Sequence, residues 1–375
     1  MTHPMMPQPS RDELARQFFI LDLRAYLLAM SPLQREVVAR KAAALAASSG
    51  REPDFEALRD ALMREDPYRS WIALRRRSQE MLWEAIEASV DRQLTNLGTR
   101  ARIDKPLGSL TLNPNLVVPE YLAARDVHLM PGGYARDAGA GDVRQGAVMD
   151  RGGAIYMLGR SGGMMNDGRG HALVTHVFDR APDFAPRRTL EFGCGVGASA
   201  VAVASYFPSA ENCGIDVGAS LLRYAHARAE HLGIALHLAQ QNAEATEFPD
   251  DHFDLVYSCA VLHETSAVGV QRILSEARRI LRPGGLMVHL EVPSRYDPGD
   301  MWQRLEGEFE QRYNNEPYWH GASTTDYASL LAALKFRDVM VGFQTTRPRA
   351  VRGNKGFSQN NSGVFACWFV MSATK

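Results

Sequence analysis

From residue 10 to about residue 97, apolar positions recur at helical spacing with almost no strand-like alternation. Leu14, Phe18, Leu21 and Ala25 make one stripe. Val37, Val38, Ala42 and Leu45 make a second, and Phe55, Leu58 and Leu62 make a third after Pro53. Ser10 with Glu13, and Ser31-Pro32 with Gln34, have the spacing of capping boxes that open the first two helices, and Ser48-Ser49-Gly50 closes the second. A longer helix is expected over residues 69–94 on Ile72, Leu74, Met81, Leu82, Ile86 and Val90. Its Arg75-Arg76-Arg77 run reads as a solvated face, because charges line the rest of that helix. Residues 1–105 are therefore expected to form a helical domain that packs on the remainder, covers its active site or pairs two chains.

Residues 106–170 lose this periodicity and are rich in glycine and proline, as in Pro131-Gly132-Gly133, Gly152-Gly153 and Gly162-Gly163. A connection of this length is more often functional than plain. It also carries His128, Tyr134, Tyr156 and several methionines, which disordered tails usually lack. We expect an ordered connector folded over the mouth of a ligand site.

From residue 185 the period changes again. A short apolar run, Thr189-Leu190-Glu191-Phe192, ends in Gly193-Cys194-Gly195-Val196-Gly197, and Ala198 to Ala204 then reads as a buried helix. Glycines suit such a strand–turn–helix because the turn needs unusual backbone angles and a side chain would block a ligand's approach to the amides. By itself this turn also fits a dinucleotide fingerprint. Further strands are expected over residues 212–216, 235–239, 252–258 and 286–292, alternating with helices over 223–231 and 267–281. That alternation indicates a parallel, doubly wound α/β sheet. Asp216 ends the second strand, where an acid can take both hydroxyls of a ribose. A last helix over 325–334 and two strands over 336–345 and 363–373 complete the chain.

Composition narrows the class. With 375 residues, 45% of them hydrophobic, the chain has material for more than one core, and a net charge of −1 offers no basic surplus for nucleic acid or an anionic membrane. No apolar run reaches the length of a membrane helix or a signal segment. The four cysteines lie far apart, none at metal-ligand spacing, so no metal is expected and a reduced, cytoplasmic protein is.

In order along the chain, Leu190-Glu191-Phe192-Gly193-Cys194-Gly195-Val196-Gly197, Gly214-Ile215-Asp216, Asn242-Ala243-Glu244, Phe253-Asp254-Leu255-Val256 and Leu281-Arg282-Pro283-Gly284-Gly285 resemble the class I S-adenosylmethionine-dependent methyltransferases. The branch most resembled is the small-molecule, ubiquinone-biosynthesis type. The resemblance covers residues 185–295. It implies a Rossmann-like sheet of seven strands with an antiparallel last strand, within a domain spanning residues 171–375. It also implies S-adenosyl-L-methionine as cofactor, held by Glu191, Gly193, Cys194, Gly195, Gly197, Asp216, Val217, Asn242, Ala243, Glu244 and Cys259. Many relatives have Asp where this chain has Asn242, whose amide oxygen still accepts a hydrogen bond without charge.

Methyl transfer is an in-line displacement at an activated carbon. The protein must align the acceptor, exclude water and, for a hydroxyl, remove a proton. His263 is the first candidate base, on the ground that a neutral imidazole takes a proton near physiological pH. Glu264 stands beside it, and Glu291 is the second choice. An insertion at 293–322 places Met301, Leu305, Phe309 and Tyr313 at helical spacing and contributes Tyr318, Trp319 and His320. With Tyr134, Tyr156 and His263, Tyr313 and His320 are the expected substrate contacts. The expectation is a methyltransferase for a small organic molecule, at oxygen, with nitrogen as the rival, and a homodimer is compatible with it. A nucleotide-dependent dehydrogenase or a non-catalytic cofactor-binding protein are the alternatives of other classes.

Overall fold

The computed structural model describes residues 2–292, 297, 299–353, 355–363 and 365–375. The expected insertion therefore begins, at 293–296 and 298, outside the described residues, as does Val364 of the expected last strand. Five helices open the chain: α1 Arg11–Ala29, α2 Ser31–Ser49, α3 Phe55–Leu62, α4 Asp66–Asp91 and α5 Leu94–Arg100. The connector supplies strand β1 Ser109–Thr111, helices α6 Glu120–Ala123 and α7 Arg144–Tyr156, and the start of α8 Gly168–Arg180. Then β2 Arg188–Phe192, α9 Ala198–Tyr206, β3 Glu211–Asp216, α10 Ala219–His231, β4 His237–Gln240, β5 Phe253–Cys259, α11 Ala267–Ile280 and β6 Leu281–Glu291 alternate. Helices α12 Met301–Tyr313, α13 Trp319–Thr324 and α14 Tyr327–Ala333 precede β7 Arg337–Thr345, β8 Phe357–Ser358 and β9 Cys367–Thr374.

The strands form one sheet in the order β1-β4-β3-β2-β5-β6-β9-β7-β8. Strands β1 to β6 pair in parallel, and β9 is antiparallel to both of its neighbours, β6 and β7. The doubly wound architecture with its antiparallel last strand is as the sequence indicates. The strand count is corrected from seven to nine, because the connector adds β1 along β4 and the C-terminal hairpin adds β8 along β7. The switch in direction from β3 to β5 around β2 places the carboxyl ends of β2, β3 and β5 at the crevice where such sheets bind ligands.

The capping box of Ser10 and Glu13 is formed, with Glu13 Oε2 accepting from the Ser10 amide at 2.6 Å and Ser10 Oγ from the Glu13 amide at 3.3 Å. Replacing Ser10 with Ala should cost about 1 kcal/mol, read as a lower urea midpoint; no change would show that the helix end is held by other contacts alone. The second expected box is absent. Met30 closes α1 and directly precedes α2, so Ser31 is already helical and cannot cap. Arg75 also departs from the solvated face expected of it. Its guanidinium lies 3.6 Å from the centroid of Phe309 and 4.6 Å from that of Trp71, and it pairs with Glu306 at 2.7 Å, tying α4 to α12. Arg76 and Arg77 pair with glutamates of their own helix.

Apolar side chains of α1, α4, α7 and α10 share one core with Val196 and Ala198 behind the glycine loop, so the N-terminal helices pack directly against the sheet-forming part. A second cluster joins α1 to α4 with Leu305 and Phe309 of α12. Helices α7 and α8 lie where the sequence shows only glycine-rich connector. Their glycines are contact points: a Cβ on Gly146 would come within 2.2 Å of Tyr224, one on Gly152 within 2.2 Å of Trp83, and one on Gly170 within 2.7 Å of Ala202. Among the described residues, no helix is long and apolar enough to cross a membrane.

Candidate active site

The turn after β2 has Gly193, Gly195 and Gly197 at φ of 62°, 51° and 72°, a region that L side chains avoid. Asp216, at the end of β3, holds the loop: its Oδ2 accepts from the Gly195 amide at 2.8 Å and its Oδ1 from the Gly218 amide at 2.9 Å. Glu191 is buried, with Oε2 left without a hydrogen-bond partner, and burial drives its carboxyl well above the usual range against the opposing charge of Arg169. Asn242 turns its Oδ1 to the Glu244 amide at 2.9 Å. The Glu244 carboxylate in turn accepts from Tyr121 Oη at 2.6 Å and pairs with Arg272.

Beyond β5 the chain turns through Ala260, at φ 61°, into a short helical turn, Leu262–Glu264. Here a buried chain of acids and imidazoles begins. Glu291, ending β6, accepts from the Val261 and Leu262 amides through Oε1 at 2.9 and 2.7 Å and holds His263 Nδ1 at 2.6 Å through Oε2. His263 Nε2 lies 3.4 Å from Glu264 Oε1, and that same oxygen lies 2.9 Å from His128 Nε2 and accepts from Tyr134 Oη at 3.0 Å. His128 Nδ1 lies 2.7 Å from Glu316 Oε1, which also accepts from the Asn314 amide. Burial alone would lower both imidazoles, but Glu291 and Glu264 raise His263 to about 10, and Glu316, Tyr134 and Glu264 raise His128 well above its ordinary value. Glu264 is correspondingly held below the carboxylate range by the two imidazoles, despite its burial. Glu310, beyond Asn314, is pushed up to about 7 by burial and by Glu316. The expectation of an ordinary neutral imidazole at His263 meets surroundings that work against it: the two flanking carboxylates favour the protonated form.

One cavity of about 810 Å³ opens on both groups of residues. It is lined by Glu191, Gly193, Cys194, Gly195, Asp216, Val217, Asn242, Ala243 and Cys259 at one end and by His128, Tyr134, Tyr156, His263, Glu264, Glu316 and Trp319 further in. Beyond these, Arg24, Leu27, Arg75, Trp302 and Glu306 carry it under the N-terminal helices. Gly197 and Glu244 do not line it: Gly197 faces Ala225 of α10, and Glu244 sits behind Tyr121. Two expected substrate contacts are corrected. Tyr313 packs on Phe309 and among the α1–α4 side chains, and His320 is exposed outside the cavity. Trp319, one position earlier on α13, takes that place, 5.6 Å edge-on from the His263 ring. His128 and Glu316 carry no local motif that marks them. Their signal is an isolated His before Pro131-Gly132-Gly133 and an acid in Asn314-Asn315-Glu316-Pro317.

Residues 189–285 match the family described as methyltransferase domain. The chain is 33% identical over 122 residues to a fatty-acid O-methyltransferase of Mycolicibacterium smegmatis, covering 32% of this chain and 43% of that protein. It is 33% identical over 115 residues to a demethylmenaquinone methyltransferase of Thermus thermophilus, covering 31% and 51%. The chain thus spans about half the length of these curated relatives. A solved structure of Haemonchus contortus phosphoethanolamine N-methyltransferase 2 with S-adenosyl-L-methionine aligns over 55% of this chain and 52% of that one, at 18% identity and a TM-score of 0.40.

Proposed function

We propose, from the premise that residues 189–285 form a class I S-adenosylmethionine-dependent methyltransferase domain, that the whole chain methylates a small organic acceptor at oxygen. The observation that carries this reading is the single cavity joining the glycine loop to the acid–imidazole cluster. The residues at the first end fit the cofactor. Gly193 and Gly195 present no side chain to the cavity, Asp216 and Asn242 line it with acceptor oxygens, and Glu191 has a buried carboxyl oxygen without a partner. Bound there, S-adenosylmethionine supplies an electrophilic methyl carbon. The chain's own residues would then align the acceptor oxygen, keep water out and receive a proton.

A hydroxyl acceptor calls for an ionised group that accepts its hydrogen bond and its proton, a part open to the Glu264 carboxylate, whereas an uncharged amine does not, and this favours oxygen over nitrogen. Glu264, whose side chain lines the cavity beside both imidazoles and Tyr134, is the carboxylate placed to meet the acceptor. Glu291 and Glu316 position the two imidazoles. The aromatic and aliphatic lining, with Trp83, Tyr156, Trp319, Met130 and Met149, suits an acceptor with an apolar body.

Calorimetric titration with S-adenosylmethionine and S-adenosylhomocysteine tests the first half. Binding is expected for the intact chain, a loss of about tenfold or more for Asp216→Ala, and none for NADH. An acceptor screen by mass spectrometry, seeking the gain of one methyl group, tests the second. Folded protein that binds neither sulfur ligand would remove the reading.

A further inference from the structure

We propose that His128, His263 and Glu264 form a site for one first-row divalent transition-metal ion, facing the cavity. His128 Nε2 and His263 Nε2 stand 2.9 and 3.4 Å from Glu264 Oε1, and one ligand atom from each of the three side chains lies within 4.8 Å of the other two. Ligand atoms that each sit about 2.0–2.2 Å from a shared ion are about 3–3.5 Å apart, so little movement is needed to admit one. The donor set of two imidazole nitrogens and one carboxylate oxygen suits zinc, iron(II) or cobalt(II) better than calcium or magnesium. Among the described residues, no other trio of His, Cys, Asp or Glu side chains converges in this way.

The surroundings make this more than a chance approach of three side chains. Each histidine is held at Nδ1 by a buried carboxylate, Glu316 at 2.7 Å and Glu291 at 2.6 Å, and each turns Nε2 toward the same oxygen. That is the arrangement by which proteins fix the tautomer of a metal-ligating histidine and aim its other nitrogen. The segments that carry these groups are also bent to purpose. His128 at φ 56°, Ala260 at φ 61° and Asn315 at φ 59° hold left-handed backbone without being glycine, a state that persists only where the surroundings enforce it. At His128 the enforcement is visible: Trp83 Nε1 and Gln79 Nε2 of α4 donate to its carbonyl oxygen at 2.7 and 3.0 Å.

All three ligands line the cavity. The open positions of the ion would therefore face the acceptor and take an oxygen donor of it, such as a hydroxyl, carbonyl or carboxylate. With the ion in place Glu264 is a ligand and no longer the hydrogen-bond acceptor proposed above. The site stands on its own geometry and does not depend on methyl transfer.

The test uses the full chain stripped with a chelator, titrated with cobalt(II) by visible absorption and with zinc(II) by calorimetry, folding being checked by circular dichroism. One ion per chain is expected, with cobalt bands showing nitrogen ligation. His128→Gln and Glu264→Gln should abolish stoichiometric binding, and Glu316→Gln and Glu291→Gln should weaken it about 10- to 100-fold. Folded intact chain that takes up no ion, or unchanged affinity in His128→Gln, would overturn the site. S-adenosylmethionine titrated into the same samples separates the two claims: cofactor binding without metal uptake overturns the metal site alone, and metal uptake without cofactor binding overturns only the methyl-transfer reading.

Discussion

Replacing Asp150 with Ala is expected to cost the folded chain about 3–5 kcal/mol, the range for removing one partner of a fully buried ion pair. Asp150 on α7 pairs through Oδ1 with Arg228 of α10 at 2.9 Å, and neither side chain has any exposure. Its Oδ2 lies 2.9 Å from His3 Nε2 and 2.8 Å from Tyr224 Oη, whose one hydrogen is shared between that oxygen and the Met5 carbonyl at 2.9 Å. Arg228 donates further to the Met165 carbonyl. One carboxylate therefore fastens the N-terminal segment, the connector and the sheet-forming part together. Removing it leaves the Arg228 guanidinium buried and without its counter-charge. A typical domain has only about 5–15 kcal/mol to lose, so urea denaturation should show a large fall in midpoint, and Asp150→Asn should fall nearly as far because the volume is kept and the charge is not. A loss below about 1 kcal/mol in both would mean that the network is solvated or relaxes freely.

Acid should destabilise the chain well before its carboxylates protonate. His176 on α8 lies between Gln344 Oε1 at 3.0 Å and Ser372 Oγ at 2.8 Å, and His289 on β6 lies 2.7 Å from Ser258 Oγ. Both are fully buried, and burial pushes each down to about 4, the Gln344 bond partly opposing this at His176 and Glu291 at His289. Between the unfolded value near 6.5 and the folded value, the unfolded chain binds protons that the folded chain refuses. The stability they contribute is present above pH 6.5 and is lost as pH falls through 4, by about 3 kcal/mol each at most. His263 behaves in the opposite sense. Against burial, Glu291 and Glu264 raise it to about 10, so in the metal-free chain its contribution is complete below pH 6.5 and is lost as pH rises through 10. Thermal melts across pH should peak near neutrality, and His176→Asn with His289→Asn should flatten the acid limb. An acid limb of unchanged slope in the double variant would assign it to other groups.

The α/β half was open to sequence reading because its signals are local. The glycine turn and the acid at the end of β3 each act within a few residues, and the alternation of strands with helices repeats one short pattern. The connector defeated the same approach for a physical reason. Glycine usually marks a loop, but Gly146, Gly152 and Gly170 lie inside helices, where the missing Cβ lets Tyr224, Trp83 and Ala202 approach. Only the partner across the interface distinguishes that use from a turn. The insertion shows the converse. Helical spacing on α12 was legible, yet Phe309 and Tyr313 turn to the N-terminal helices while Trp319 faces His263, and which neighbour an apolar stripe meets is a tertiary fact.

The sequence by itself determined the doubly wound sheet, the antiparallel end strand, the glycine loop with Glu191 and Asp216, and the position of His263 and Glu264 after β5. The antiparallel end strand is what the family resemblance implies, and each of the others follows from hydrophobic period, turn chemistry or motif order within one stretch of chain. Tertiary structure alone decided that His128, far from His263 in sequence, closes on Glu264, that Glu316 closes on His128, and that Glu291 completes the chain of acids and imidazoles. It also decided which charges surround His263, where Glu291 and Glu264 favour the protonated form against burial, because a side chain's proton affinity is set by groups that only folding brings together.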